Sequence, residues 1–419
     1  MKTTGKAAII FAILVACYLL LGLLAYLMPD ASVRHHVEQS IAQGDLGEDY
    51  PKAIIQADYG TQDQYTMDNF TDALIINQAV NLRSEGVKSI LLLPRHDEGI
   101  FQCNNLRHFM AGTDEGWTIH YARYWHGSTF LARILLTLTS YSGIRYLLFL
   151  FSSVLLLWCL MRLWRTVGRV ALVAVAAALL LVNVYVMQFS LQFVPVLLIA
   201  LGGILWLTYH PSRKAGLLFF ALGSLTAFAD LITVPTLTLG LPLVVLVAVR
   251  REGDWRRGLL LVVQVALWWL AGYVLTWLSK WGLATLLTGE NIFADAYGQG
   301  TYWGEGGSSY IGEAISSNLK YLHWKFVVVA LAVLAVLAAV RYRSKGWALS
   351  VQYLLVALIP FAYYVLMAHP AQHHAWYNYR ALATAVAALL MAGAAMVDWN
   401  RVAILKKFRL WIASKNEIK

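Results

Sequence analysis

The chain alternates long apolar runs with polar segments of very unequal length. The first run, AAIIFAILVACYLLLGLLAYLM at 7–28, is 22 residues long. Nine more follow at 145–163, 170–188, 191–209, 215–232, 233–249, 258–279, 326–341, 347–367 and 380–398. A helix needs about 20 apolar residues to cross the hydrocarbon of a bilayer. The pattern therefore predicts an all-α polytopic membrane protein with about ten transmembrane helices. The run at 233–249 is short and carries Pro235 and Pro242, which membrane helices tolerate where neighbours re-satisfy the backbone. The first run exceeds the roughly 7–15 residues of a signal-peptide core, and no small-x-small cleavage site follows it, so it reads as an uncleaved first span.

The polar segments divide the chain further. Residues 1–28 hold the first span, 29–144 one large loop, 145–279 spans two to seven, 280–325 a second loop and 326–398 the last three spans. A short loop, HPAQHHAWYNYR at 369–380, interrupts those three. Within the large loop, Phe70, Leu74, Ile75, Ile76, Ala79 and Val80 predict a helix over 67–84. KSILLLPRH at 88–96 reads as a short strand or buried segment. STFLARILLTLTS at 128–140 is too short to span and reads as an interfacial helix lying on the outer leaflet. YGQGTYWGEGGSSY at 297–310 has the composition of a mobile loop, followed by a helix over 311–325. No internal repeat is visible, whereas many transporters carry inverted repeats.

Charge orients these segments. Placing the N-terminus inside puts 20 of the 33 Lys and Arg in short inner segments and leaves 19 of the 23 Asp and Glu outside. That agrees with the positive-inside rule and gives an N-in, C-in topology with both large loops outside. The net charge of +10 is then a topology signal and implies no nucleic-acid partner. The tail over 399–419 mixes basic and apolar residues at helical spacing, as in a helix lying on the cytoplasmic membrane surface. Charged residues make up 13% of the chain, about half the share in a soluble domain. Cys17, Cys103 and Cys159 form no disulfide or CxxC pattern.

Candidate chemistry concentrates outside. In TMDNFTDALI, Asp68 and Asp72 stand one helical turn apart and face the same way. One of them could serve as a general base while the other orients it, or both could hold a divalent cation, the one cofactor this pair suggests. Equally, Asp68 could be an N-cap and Asp72 a solvated first-turn acid. Asp30 follows Pro29 where the first span ends. Asp230, in FADLITVP, lies at the outer end of a span, where a carboxylate is a functional suspect or a cap for the next helix. YARYWHG offers Arg123 and His126 as phosphate ligands or as interfacial anchors. The short third loop offers His369, His373, His374 and Arg380. His373 and His374 are adjacent and point apart, which makes them poor joint metal ligands. Lys320, His323 and Lys325 are further cations of this type. Walker, dinucleotide-binding and GxSxG patterns are absent from the sequence.

Ten or so spans, a long acidic first outer loop with interfacial helices, and Arg/His-rich late outer loops resemble the GT-C class of membrane glycosyltransferases. DNFTDAL, YARYWHG and FADLITVP also look like strings in a group of bacterial multi-pass membrane proteins whose activity is for the most part unassigned. The GT-C resemblance implies a lipid-phosphate-linked sugar as donor, a carboxylate of the first outer loop as base, and basic residues of late loops on the donor phosphate. GT-C enzymes usually carry an acidic pair close to the outer end of the first helix. Here only Asp30, in MPDASVRHH, sits there, so the base is Asp30 or has moved to Asp68 or Asp72.

The expected activity is inverting transfer of a sugar from a polyprenyl phosphate to a cell-envelope glycan or lipid, on the outer face of a bacterial inner membrane. Arg123, His126, Arg380, His374, Lys320 and Asp230 are the expected substrate contacts. The competing readings are a transporter or flippase, a polysaccharide polymerase acting on lipid-linked glycans, and a non-catalytic scaffold. The spans hold Asn183, Gln188, Gln264 and Gln352 but no central charge, which weighs against ion-coupled transport.

Overall fold

All ten apolar runs are helical over most of their length in a computed structural model that describes residues 3–52, 62–113, 116–211, 214–305, 307–343 and 346–399. In chain order, α1 is Thr3–Leu27, α2 Asp30–Ala42, α3 Asn69–Asn81 and α4 Ser89–Leu92. A small hairpin follows, β1 (Pro94–Asp97) and β2 (Trp117–His120), with α5 (Gln102–Ala111) in its connection. Its antiparallel register places Pro94 opposite His120. Then come α6 (Gly127–Leu136), α7 (Tyr141–Thr166), α8 (Arg169–Leu181), α9 (Val184–Gln188), α10 (Val194–Tyr209), α11 (Gly216–Ala229) and α12 (Leu237–Arg250). The late elements are α13 (Trp255–Thr288), α14 (Ile292–Gly304), α15 (Ile311–Tyr321), α16 (Trp324–Val340), α17 (Trp347–Ala357), α18 (Ile359–Leu366), α19 (Ala368–His373), α20 (Ala375–Asn378) and α21 (Leu382–Ala395).

Four of these units are long and apolar enough to cross a membrane: α1, α7, α13 and the continuous pair α17–α18. A fifth is reached if 307–321 and α16, bent by 81°, count as one span. The helices α8, α10, α11 and α12 are apolar but shorter. The sequence explains part of the shortening. Asn183 adopts a left-handed conformation (φ 53°) that breaks the run at 170–188 into α8 and α9, and Pro195 and Pro360 stand at the starts of α10 and α18, positions that suit proline's fixed φ.

Close packing unites the helical body. A Cβ on Gly223 of α11 would lie 2.0 Å from the Trp269 carbonyl, and one on Gly272 of α13 would lie 2.0 Å from the Phe220 carbonyl. The two backbones touch through reciprocal glycines, as small residues allow between membrane helices. At about 1.5 Å per residue, the 34 residues of α13 reach about 51 Å, well beyond the roughly 30 Å of bilayer hydrocarbon. Its last turns, including Lys280 and Ala284, pack against Leu91, Leu92 and Ala122 of the first loop.

The first loop has its own core, in which Val33, Val37, Ile75, Ile76, Ala79, Cys103 and Leu106 meet Leu136 and Ile144. Three local expectations change here. The segment 88–96 forms both a short helix and a strand, because Leu93 takes a left-handed conformation (φ 51°) between them. The expected interfacial helix α6 is not laid out on a surface. Phe130, Ala132, Arg133 and Leu136 are buried, and α6 wedges between α1 and α3. The segment expected as a mobile loop at 297–310 contains most of helix α14, whose start is capped by the Asn291 side chain. The expected surface helix over 399–419 lies outside the described residues apart from Trp399.

Candidate functional site

Helix α3 starts where it does because Asp68 caps it. One carboxylate oxygen accepts the Thr71 amide at 3.0 Å, and the other accepts the Thr71 hydroxyl at 2.8 Å. Asp68 is only 3% exposed, and among the described residues no cation lies within ion-pairing distance of it. Burial pushes this carboxyl up to about 7, and the neighbouring charges of Asp72 and Asp49 push the same way against the two Thr71 bonds. The capping alternative is thus realised, yet the capping group is also a carboxyl poised near neutrality.

Asp68 does not stand alone. Tyr377, on α20, is buried and within electrostatic reach of Asp68, Asp230, Tyr124 and Tyr363. Asp230 occupies the tight turn between α11 and α12, where it accepts the amide and the hydroxyl of Thr233. The Tyr363 hydroxyl lies 3.2 Å from both the Ile232 carbonyl and the Asn378 side-chain oxygen, which joins that turn to α20. Tyr124 packs edge-on against Trp277 at 5.0 Å, and Trp277 continues a ridge along α13 with Tyr273 and Trp281. Tyr124 and Tyr273 keep part of their surface accessible although protein surrounds them. With Tyr363 and Tyr377 they form an aromatic cluster, and the buried carboxylates of Asp68 and Asp230 act on it electrostatically.

Arg380 supplies a cation nearby. It is fully buried, and Asp68 is among the charges acting on it. Its guanidinium donates to the carbonyls of Trp376 and Gln64, each at 3.3 Å, and lies near the rings of Phe193 and Tyr379. Among the described residues its Nε has no hydrogen-bond partner, and neither has the Gln64 Oε1 nor the Tyr185 hydroxyl, which lies within electrostatic reach of Arg380. Buried polar atoms are nearly always paired. Arg380 Nε and the Tyr185 hydroxyl are unpaired donors that suit an anionic group, whereas Gln64 Oε1 only accepts, and among the described residues no carboxylate is within ion-pairing distance of Arg380. His374 stacks on Tyr377 at 5.1 Å. Burial, followed by the charges of His373 and His369, brings its imidazole down to about 4, so it is neutral at neutral pH and contributes no positive charge there.

The other expected residues fall elsewhere. Asp72 is buried, and both of its oxygens are fully engaged. One accepts the Ser190 hydroxyl at 3.1 Å and the Gln192 amide at 3.2 Å. The other accepts the Tyr141 hydroxyl at 2.7 Å and the Leu191 amide at 3.0 Å. A carboxylate offers about four lone-pair sites, so Asp72 is a strut between the first loop and the 190–192 turn. Asp30 pairs with Arg133 and lies 3.7 Å from Arg83. Arg123 pairs with Asp295 of α14 at 3.3 Å and lies over the Tyr121 ring. Asp295 in turn lines a cavity of about 340 Å³ together with His120 and Glu290. His126 is buried beside Tyr121 and Tyr124. Lys320 is exposed on α15. Among the described residues no group of three or more His, Cys, Asp or Glu is placed to hold a metal ion, and Asp68 and Asp72 turn to different partners.

Sequence reasoning passed over Tyr124, Tyr273, Tyr363 and Tyr377, since tyrosines at span ends are ordinary in a membrane protein. Comparison with family models, with curated proteins and with solved structures finds no match for this chain.

Proposed function

We propose that the chain is an outward-facing, GT-C-like glycosyltransferase of a bacterial inner membrane, N-in and C-in with about ten spans. It moves a sugar from a polyprenyl-phosphate donor to a cell-envelope glycan or lipid. In this reading Asp68 is the base. It takes the proton of the acceptor hydroxyl as the acceptor oxygen bonds to the anomeric carbon. The bond from that carbon to the phosphate oxygen breaks, and polyprenyl phosphate leaves. Arg380 holds the phosphate on one side, with Tyr377, Tyr363 and Asp230 between it and the aromatic ridge of α13. Arg123 and His126 stand at the outer end of the same ridge.

The observation that carries the reading is Asp68 itself, a buried carboxyl with no ion-pair partner among the described residues, poised near pH 7, in the same polar cluster as the incompletely bonded Arg380. A general base works best with a pKa near the working pH, and a buried arginine suits a phosphate bidentately. Asp72 is the poorer base, because its lone pairs are already taken.

The full chain in lipid nanodiscs, given polyprenyl-phosphate sugars and candidate acceptors, tests this. Transfer should appear in the wild type and fall by about a hundredfold or more in Asp68→Asn, the usual scale of general-base loss. Arg380→Gln should raise KM for the donor. Transfer that survives Asp68→Asn overturns the base assignment.

A further inference from the structure

Helix α7 begins beside Asn69 and Asp72 of the first loop, which its Tyr141 contacts. Its 26 residues run about 39 Å at about 1.5 Å each, enough to cross the roughly 30 Å of bilayer hydrocarbon. Along it Leu147, Leu150, Val154, Leu157, Met161 and Trp164 are exposed. Their spacing of three and four residues puts them on one face. Trp158, Arg162 and Arg165 continue that face at the far end of the helix, away from the large loop.

Arg162 is oriented before any ligand arrives. Its guanidinium lies 3.8 Å from the centre of the Tyr209 ring, at the end of α10, and donates to the Thr208 carbonyl at 3.0 Å. Stacking and a main-chain carbonyl orient a guanidinium without removing its charge. Tyr209 is fixed in turn. Its hydroxyl accepts the Trp158 indole N–H at 3.3 Å, which leaves the hydroxyl hydrogen to donate elsewhere. Arg165 is exposed one turn further on. Arg251 brings a third guanidinium to this end of the bundle, bound to the Val167 carbonyl at 3.2 Å. Among the described residues no carboxylate lies within ion-pairing distance of these three arginines. The acids of the 252–254 turn face their own segment. Glu252 accepts the Asp254 amide at 3.2 Å, and Asp254 accepts the Arg256 amide at 2.9 Å and lies 3.7 Å from Arg257. The end of α7 offers about half a negative charge, well short of balancing the cations.

We infer that the paired ends of α7 and α10 form a headgroup site for an anionic phospholipid. Arg162, Arg165 and the Tyr209 hydroxyl take its phosphate, and its acyl chains lie along the exposed apolar face of α7. Basic residues at the end of an apolar helix face suit such a headgroup. Charge decides which lipid is preferred. A zwitterionic headgroup brings its own ammonium to guanidinium groups that lack a counter-charge, whereas a singly negative headgroup supplies one. That the lipid sits in the cytoplasmic leaflet rests on the N-in reading; the site itself does not.

Native mass spectrometry of the full chain in non-ionic detergent, titrated with phosphatidylglycerol or phosphatidylcholine of equal chain length, is the test. Wild type should prefer phosphatidylglycerol by about thirtyfold, the scale for two cations at a membrane surface. Arg162→Gln combined with Arg165→Gln should abolish that preference. Tyr209→Phe keeps the stacked ring, loses one donor and should weaken phosphatidylglycerol binding about fivefold. Arg256→Gln combined with Arg257→Gln removes the same charge from another turn and should leave the preference in place. If Arg162→Gln does not fold, Arg165→Gln and Tyr209→Phe, both at exposed positions, supply the comparison, and each must lose part of the preference. The inference is overturned if wild type binds the two lipids alike. It is also overturned if the Arg256 and Arg257 changes remove as much preference as those at Arg162 and Arg165, since the attraction would then be the general charge of that face. Displacement of phosphatidylglycerol by inorganic phosphate alone would replace the lipid with a soluble anion and sink the assignment. Sugar transfer enters none of these measurements, so the transferase reading stands or falls separately.

Discussion

Asp72 of α3 accepts the main-chain amide of Leu191 at 3.0 Å, across 119 residues of sequence. With the Tyr141 hydroxyl, the Ser190 hydroxyl and the Gln192 amide, this contact fastens the first loop to the start of α10. Asp72→Asn replaces one acceptor oxygen with an NH2 that can only donate, and the main-chain amide facing it, Leu191 or Gln192, cannot turn away as a hydroxyl can. The loss should be about 2–4 kcal/mol of stability, given the cost of leaving buried hydrogen-bonding groups unpaired. Thermal melting in detergent measures it. A variant that melts like the wild type would show that the carboxylate is not a strut.

Asp68→Asn should behave differently. Asparagine caps helices as well as aspartate does, so the start of α3 survives and the fold is kept while transfer is lost. The pH dependence separates the two roles further. The folded carboxyl is raised to about 7 from an ordinary value of 3.8, so the folded state holds this proton more tightly than the unfolded chain. Its contribution is fully present below about pH 4 and is lost as pH rises through 7, on the order of 4 kcal/mol in all. Asp68→Asn should remove this fall. Melts of both proteins from pH 5 to pH 8 measure it, and parallel curves would contradict a raised carboxyl.

The apolar helices were legible because hydrophobicity alone specifies them, and each expected run is helical. Their lengths were less legible. Whether 170–188 is one helix or two depends on a left-handed Asn183 held by the Tyr379 hydroxyl at 3.0 Å, a contact between residues 196 apart. The candidate site was half legible. Asp230 and Arg380 are rare residue types near span ends and stood out, and Asp68 stood out through its spacing from Asp72. Tyr377 did not, because its meaning lies in what surrounds it. The Asp68–Asp72 pair misled for a local reason. Helical spacing puts both residues on one face, but Asp68 bends back to Thr71 while Asp72 reaches out to α7 and the 190–192 turn.

The Asp30–Arg133 pair should prove structural. Arg133 on α6 is buried and donates to the carbonyls of Ala25, Met28 and Ala79 as well as to Asp30, so it closes the C-terminal end of α1 against α3. Arg133→Met strips all four acceptors at once and should destabilise by about 3–5 kcal/mol, the range for breaking a buried pair. Asp30 is about half exposed at its side chain. Asp30→Asn should cost only about 1 kcal/mol and leave sugar transfer near the wild-type rate. A large loss of transfer in a folded Asp30→Asn protein would return the base to the end of α1.

The reciprocal glycines of α11 and α13 set the position of the aromatic ridge. Gly223 and Gly272 each bring a backbone carbonyl of the other helix to where a Cβ would stand, at 2.0 Å. A carbonyl inside a helix cannot swing aside as a side chain can, so Gly223→Ala and Gly272→Ala must push the two helices apart. Overpacking of this kind costs about 1–3 kcal/mol in ordinary cores, and backbone contact puts these two at the upper end. Moving α13 also moves Tyr273 and Trp277 relative to Tyr124, so transfer should fall even where the protein still folds. Gly282, on the same helix, has nothing within 4 Å of its Cβ position. Gly282→Ala should therefore melt at or slightly above the wild-type temperature, since alanine is the better helix former. Melting curves and transfer rates for the three variants, measured side by side, check the argument. Equal effects at all three positions would show that helix propensity, rather than the α11–α13 contact, governs the result.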